Sequence, residues 1–164
     1  MSERIHGYAP VWNGASRILV LGTMPSVESL KQGFYYAHPR NAFWHILAEI
    51  CGAALPETVA EKKRLLLENG IALWDVLASC EREGSLDSAI REGEPSDIPG
   101  LLAACPAIRQ ICLNGGTAAR LFEKHFGEKL AGVERVRLPS TSPAYTLSYE
   151  NKLALWRAAI GGEE

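Results

Sequence analysis

Eleven consecutive residues, Phe34-Tyr35-Tyr36-Ala37-His38-Pro39-Arg40-Asn41-Ala42-Phe43-Trp44, bring together five aromatic rings, a histidine, an arginine and an asparagine. Aromatics make up only 8% of the 164-residue chain, so this block is a local concentration and not a reflection of composition. Rings set beside amide and cationic groups are what a site needs to stack a flat heterocycle and read its edge. Phe43 and Trp44 open an amphipathic run and read as core anchors. A core role does not account for the polar residues before them. His38 precedes a proline, so its backbone is extended; a lone histidine there is more often structural or solvent-facing than chemical.

Four further places carry groups of chemical interest. Gly22-Thr23-Met24-Pro25-Ser26 follows an apolar run. It lacks the spacing and the Lys-Ser/Thr of a phosphate loop, and it is not a dinucleotide glycine fingerprint. Asn114 closes another apolar run and is followed by Gly115-Gly116. It is either a turn residue ahead of a helix capped at Thr117 or an amide that pairs with a base edge, since an amide offers both donor and acceptor. Pro139-Ser140-Thr141-Ser142-Pro143 sets three hydroxyls between two prolines. It is either a rigid connection or a grip for phosphate at a helix entrance. Asp75, in Leu73-Trp74-Asp75-Val76, has the setting of a buried capping carboxylate.

These segments need elements to hold them. Four β-type runs are expected at Arg17–Gly22, Ile71–Leu77, Ile108–Leu113 and Val133–Leu138. The first and third are nearly continuous in apolar residues, as in strands covered on both faces. Helical spacing covers Phe43–Cys51, Ala60–Glu68, a short turn at Leu101–Ala104, Thr117–Phe126 and Ser148–Ile160. The charged segment Arg82–Pro99 is expected to be a long loop covering one rim. The alternation predicts an α/β fold, a three-layer sandwich with a central, mainly parallel four-stranded sheet flanked by helices. In such sheets the ligand site lies beyond the carboxyl ends of the strands, and the groups singled out above fall there.

The length fits one domain over residues 1–164. Apolar content of 47% and charged content of 22% are ordinary for a soluble protein. No apolar run is long enough to span a membrane, and Met1-Ser2-Glu3-Arg4 leads into no signal-type block. The cytoplasm is therefore the expected compartment. Cys51, Cys80, Cys105 and Cys112 show no C-x-x-C pair and no histidine at zinc spacing, so no metal and no cofactor is expected. Cys105 and Cys112 are expected to pack as small hydrophobes. A net charge of −2 argues against indiscriminate coating of nucleic acid but leaves room for a local basic face.

Taken together, the motifs resemble those of the uracil-DNA glycosylase superfamily, and most closely its hypoxanthine (deoxyinosine)-DNA glycosylase branch. The matching residues are Gly22-Thr23-Met24-Pro25 after the first strand, the block from Tyr36 to Trp44, Asn114, and Pro139 to Pro143. They occur in the family's order, and the aromatic–Asn block is the specific part. Two positions depart from the pattern. Efficient uracil enzymes carry Asp before the first-motif proline and His before the final Pro-Ser; here these are Met24 and Leu138. The resemblance implies that the catalytic burden falls on Asn41, which would position the attacking water. It implies a monofunctional glycosylase, probing DNA that contains deaminated bases, acting as a monomer and flipping the damaged nucleotide out of the duplex. Tyr36 would stack on the base and Asn114 would bond its edge. Thr23, Met24 and His38 complete the expected base site. Lys31, Arg40, Ser140, Thr141, Ser142 and Tyr145 are the expected DNA contacts, with Arg137 adding positive charge and Tyr145 a candidate wedge. Two competing readings are a mismatch-type uracil enzyme acting on G:U pairs and a non-catalytic nucleotide-binding α/β domain. The second leaves the aromatic–His–Pro–Asn–Phe–Trp block unexplained.

Overall fold

The computed structural model describes residues 4–161; the ends of the expected 1–164 domain lie outside the described residues. In chain order the strands are β1 (Arg4–His6), β2 (Ile18–Gly22), β3 (Ile71–Asp75), β4 (Leu77–Glu81), β5 (Arg91–Pro95), β6 (Gln110–Asn114) and β7 (Glu134–Leu138). The helices are α1 (Val27–Gln32), α2 (Phe43–Cys51), α3 (Val59–Glu68), α4 (Ile98–Ala104), α5 (Gly116–Phe126) and α6 (Tyr149–Trp156), the last running into one wider turn at Arg157–Gly161. None is long and apolar enough to cross a membrane among the described residues.

The expected four-stranded parallel sheet is present, in the order β3-β2-β6-β7. All five residues of the central β2 are buried. Its side chains alternate between two cores, as the two-residue period of a strand requires. Ile18 and Val20 join a cluster with α2, α3 and α6, through Phe43, Leu47, Leu66 and Trp156. Leu19 and Leu21 join one with α4 and α5, through Ile98, Leu101, Phe122 and Phe126. Both Cys105 and Cys112 are fully buried, one in each core.

The helices start where side chains satisfy their free N–H groups. Ser26, Thr58, Asp97 and Ser148 each accept from the first turn of α1, α3, α4 and α6, and Thr58 with Glu61 forms a complete capping box. Helix α5 follows Gly115, whose φ of 100° is one that a residue with a side chain rarely adopts.

Three features depart from expectation. The run Ile71–Leu77 is not one strand: β3 stops at Asp75, and Val76 turns the chain by donating its N–H to the Gly22 carbonyl at 2.8 Å. The chain then enters a second, antiparallel sheet of order β1-β4-β5. The segment Arg82–Pro99 is therefore only partly loop, since it contains β5. Helix α1 was not expected; its six residues are set by the Ser26 cap and stopped by Gly33.

Candidate active site at the carboxyl edge of the parallel sheet

The register places Gly22 beside Asp75 on one side, and Asn114 beside Leu138 on the other, along one edge of the sheet. The aromatic block closes over this edge. Tyr36 stacks on Phe43 with ring centroids 4.2 Å apart and planes 28° from parallel. Phe43 in turn meets Trp44 and Trp156 edge to face. Trp44 is fixed by its indole N–H, which donates to the Tyr35 carbonyl at 3.0 Å. The Tyr36 ring is thus the half-buried outer layer of an aromatic stack rooted in the core. Its backbone adopts a φ of 54°, a left-handed conformation uncommon for a residue with a bulky side chain.

The Tyr36 hydroxyl reaches down to the strand ends. A methyl group on Gly22 would lie 2.5 Å from this oxygen and 2.6 Å from Asp75 Oδ1, so only glycine fits there. Asn114 approaches the hydroxyl without completing a hydrogen bond; the Tyr36 oxygen and Asp75 Oδ2 are both buried and unpartnered. Asp75 is buried, as expected, but Oδ2 caps nothing. Burial, and after it the charge of Asp87, push its carboxyl up to about 7, against the pull of Arg82. Burial likewise raises Tyr36, and Asp75 adds to the effect.

Asn41 sits at the helix entrance. Its N–H donates to the His38 carbonyl and its Oδ1 accepts from Phe43 N–H at 2.9 Å. This bond holds the amide in one orientation. Asn41 lines a groove of about 540 Å³ together with Pro39, Arg40, His45, Tyr149 and Lys152. His38 does not point to a ligand. Its Nδ1 accepts the Arg40 N–H at 3.1 Å and shapes the loop.

Asn114 and the final loop are tied together. Asn114 Nδ2 donates to Thr141 Oγ1 at 3.1 Å, and Thr141 N–H donates back to Asn114 Oδ1 at 3.0 Å. The Thr141 carbonyl accepts from Ala42 N–H at 3.0 Å. One residue therefore pins the aromatic loop and the end of β6. It also corrects two expectations. Thr141 is 1% exposed with its hydroxyl and N–H both engaged by Asn114, so it does not face phosphate. Asn114 keeps only one N–H and one lone pair for a base. Ser140 and Ser142 do lie at the partly exposed rim, each hydroxyl accepting from a backbone N–H two residues on. Tyr145 is exposed, with Lys152 Nζ 5.6 Å from its ring. Lys31, Arg40 and Arg137 are exposed.

Thr23 and Met24 are both buried. The Met24 side chain packs with Leu21, Val76 and Leu77 in the second core, so the expected base contact by this side chain is not what the structure shows. The turn after β2 breaks the strand's alternation and sends residue 24 to the side of Leu19 and Leu21, not that of Ile18 and Val20. Thr23 lies beside the Asp87 carboxyl. Asp87, Arg82, His45 and Lys152 all approach the site, and no sequence motif marks them; they arrive from the segment after β4 and from the helices α2 and α6.

Comparison with known proteins agrees with this layout. The model of the family described as the uracil DNA glycosylase superfamily matches residues 10–160. A protein named hypoxanthine DNA glycosylase from Methanosarcina acetivorans is 37% identical over 155 residues, 94% of this chain and 96% of the relative. One of the same name from Methanosarcina barkeri is 32% identical over 161 residues, with the same coverage of each. A solution NMR structure presented as a uracil DNA glycosylase from Methanosarcina acetivorans superposes with a TM-score of 0.83 at 34% identity, covering 96% of this chain and 97% of that one. On the aromatic block, the strand-end groups and these matches, the chain belongs to the uracil-DNA glycosylase superfamily.

Proposed function

We propose that the chain is a monofunctional DNA glycosylase that hydrolyses the N-glycosidic bond of deaminated bases, hypoxanthine first among them, and so initiates base excision repair. The observation that carries this reading is the convergence of the Tyr36 ring, the Asn41 amide and Asn114 at one sheet edge, in a chain whose full-length relatives bear the name hypoxanthine DNA glycosylase.

The reaction runs from binding to water attack. Arg40, His45 and Lys152 line the groove beside Asn41, and the rim hydroxyls of Ser140 and Ser142 belong to the loop whose Ser142 carbonyl accepts from Lys152 Nζ at 3.0 Å. Phosphates seat there and fix the register of the strand. The target nucleotide leaves the stack at a cost of a few kcal/mol, least for a mispaired or damaged base. Its base stacks on Tyr36. Asn41, held by Phe43 N–H, orients water on the sugar. An amide is not a general base, so bond breaking leads and water is captured by an oxocarbenium-like sugar. Orientation then matters more than deprotonation.

The test is an incision assay on oligonucleotides carrying inosine, xanthine or uracil, single-stranded and opposite each base. Release of hypoxanthine in preference to uracil is expected, leaving abasic DNA that breaks only after alkali. Preferential uracil release from G:U pairs would move the chain to the mismatch-type reading. A covalent adduct trapped by borohydride would overturn the monofunctional assignment.

A further inference from the structure

Helix α6 carries its two buried side chains, Lys152 and Trp156, on one face, a single turn apart. Both donate to the loop after β7. The Trp156 indole N–H reaches the Pro139 carbonyl at 2.9 Å, and Lys152 Nζ reaches the Ser142 carbonyl at 3.0 Å. Between these points Thr141 is held by Asn114 and by Ala42 N–H. The loop is therefore fixed as far as Ser142. A tight turn follows, closed by Tyr145 N–H, which donates to the same Ser142 carbonyl at 3.0 Å. Pro143 takes its second position, where the proline ring presets the backbone. Pro143, Ala144 and Tyr145 are all exposed. One carbonyl thus receives both the bond that closes the turn and the lysine that ties the turn to the helix.

Lys152 is an uncommon choice for such a tie. It is 5% exposed, yet no ion pair among the described residues includes it. Its neighbours are the Ser142 carbonyl and the Tyr145 ring, centred 5.6 Å from Nζ. Neither carries a full negative charge, and burial pulls the lysine below its usual pKa. A buried cation without an anion is costly. An ammonium offers three N–H groups; one serves Ser142, and the others remain for a further acceptor. The same side chain lines the groove of Asn41, beside Arg40 and His45. An acceptor that brings a full negative charge into this groove along with the substrate is a backbone phosphate.

We propose that Lys152 is the positioning residue that joins phosphate seating to base extrusion: one ammonium holds a DNA phosphate in the Asn41 groove and the carbonyl at the root of the Ser142–Tyr145 turn, so that the turn is set to enter the stack where the nucleotide leaves. The inference rests on the glycosylase reading and adds to it the residue that couples its first two steps. A phosphate on the remaining N–H groups fixes the ammonium between two acceptors. Through the Ser142 carbonyl it fixes the turn as well. The freedom of the lysine is then lost on binding, before the base pair opens. A single-stranded substrate has no pair to open, so it draws little from the turn. Lys152 therefore favours action on paired DNA.

The test uses Lys152→Met, which keeps an unbranched stem and removes the charge and the donors, with Tyr145→Ala and the double variant. Binding is measured against salt with a duplex carrying 2′-fluoro-deoxyinosine, whose fluorine disfavours an oxocarbenium-like sugar and so blocks cleavage. Single-turnover hypoxanthine release is measured at saturating enzyme on duplex and on single-stranded inosine oligonucleotides. In Lys152→Met the slope of log K against log salt should fall by about 0.9, the share of one phosphate, while Lys152→Arg should keep it. The ratio of duplex to single-strand rates should fall about tenfold in Lys152→Met and in Tyr145→Ala. The double variant should be no lower than the poorer single one, as for groups acting as a unit. An unchanged slope overturns the proposal. So do equal losses on duplex and single strand, the mark of a lysine that only supports the fold, and so do single losses that multiply. Should Lys152→Met fail to fold, NMR of the wild type decides: the Lys152 ε-methylene resonance should shift on adding an undamaged duplex, and no shift refutes the contact. Wild type that releases no base from any substrate refutes the glycosylase reading itself, whatever the slope.

Discussion

Gly22→Ala is the most direct probe of how the site is packed. The new methyl would lie 2.5 Å from the Tyr36 oxygen and 2.6 Å from Asp75 Oδ1. Ordinary contact needs about 3.5 Å, so each oxygen must retreat by about 1 Å. Asp75 is held on the main chain of β3 by its pairing with β2 and has little freedom. Tyr36 must then move, and its ring already lies 4.2 Å from Phe43, which is fully buried. Overpacking of this kind costs about 1–3 kcal/mol. The ring that yields is the one on which the base stacks, so base release should fall about a hundredfold, in line with a misplacement near 1 Å. Urea unfolding gives the first quantity and single-turnover release the second. Gly115→Ala is the control for a general glycine effect. Its cost comes from a φ of 100°, and the nearest obstruction is Ser140 Cβ at 3.1 Å. A Gly22→Ala protein of wild-type stability and rate would mean that the Tyr36 hydroxyl is not seated against β2, and the description of the floor would be wrong.

Other outcomes follow from the same geometry. Asp75 is raised in the folded state from 3.8 to about 7, so the fold holds a proton that the unfolded chain releases in that window. Stability should therefore be highest near pH 4, decline as pH rises to 7, and level off above; the full shift corresponds to about 4 kcal/mol, reduced by local relaxation to about 2. Asp75→Asn should flatten this dependence, and urea midpoints at pH 5 and 8 measure it; a wild type that gains stability from Asp75 between these values contradicts the argument. Asn41→Ala should lose about 10² in base release and about 1 kcal/mol from the lost acceptor for Phe43 N–H, whereas Asn41→Asp should keep the stability. Equal rates for Asn41→Ala and wild type would remove Asn41 from the mechanism. Met24→Asn places an amide in the second core and should cost about 2 kcal/mol or more in urea unfolding. A Met24→Asn protein of unchanged stability that prefers uracil would return this side chain to the base pocket.

The parallel sheet was legible because its strands are buried on both faces and so read as continuous apolar runs, with Ile18–Gly22 the clearest. Five of the six helices were legible from their spacing, and α2 begins and ends where expected; α1 was not, and the cap expected at Thr117 is instead Gly115, with α5 starting at Gly116. The antiparallel sheet was not. Its strand β5, Arg-Glu-Gly-Glu-Pro, is almost wholly exposed at an edge and carries no apolar alternation. Its strand β1 has three residues. At the site, the aromatic block marked the place, but not which polar atoms are free. Thr141 sits in a serine-rich loop that reads as a phosphate grip, and only the folded chain shows it consumed by Asn114. Met24 shares its motif with residues at the strand ends, yet the turn after β2 carries its side chain into the second core. Asp75 reads as a cap, and its unpartnered oxygen becomes visible only once Gly22 and Tyr36 are seen against it.

The central position of β2 also sets an order of assembly. Its partners are β3 at Ile71–Asp75 and β6 at Gln110–Asn114. A nascent chain that has emerged only as far as α4 can pair one edge of β2. The other edge stays open, flanked by five residues that the finished protein buries completely. Such an edge is a template for pairing with another chain. Synthesis past Asn114 closes it and at the same stroke delivers the amide that Thr141 later locks. Pauses or truncations between residues 75 and 110 should therefore yield aggregates, and the first strand of the parallel sheet to be made waits for the third before it is protected on both sides.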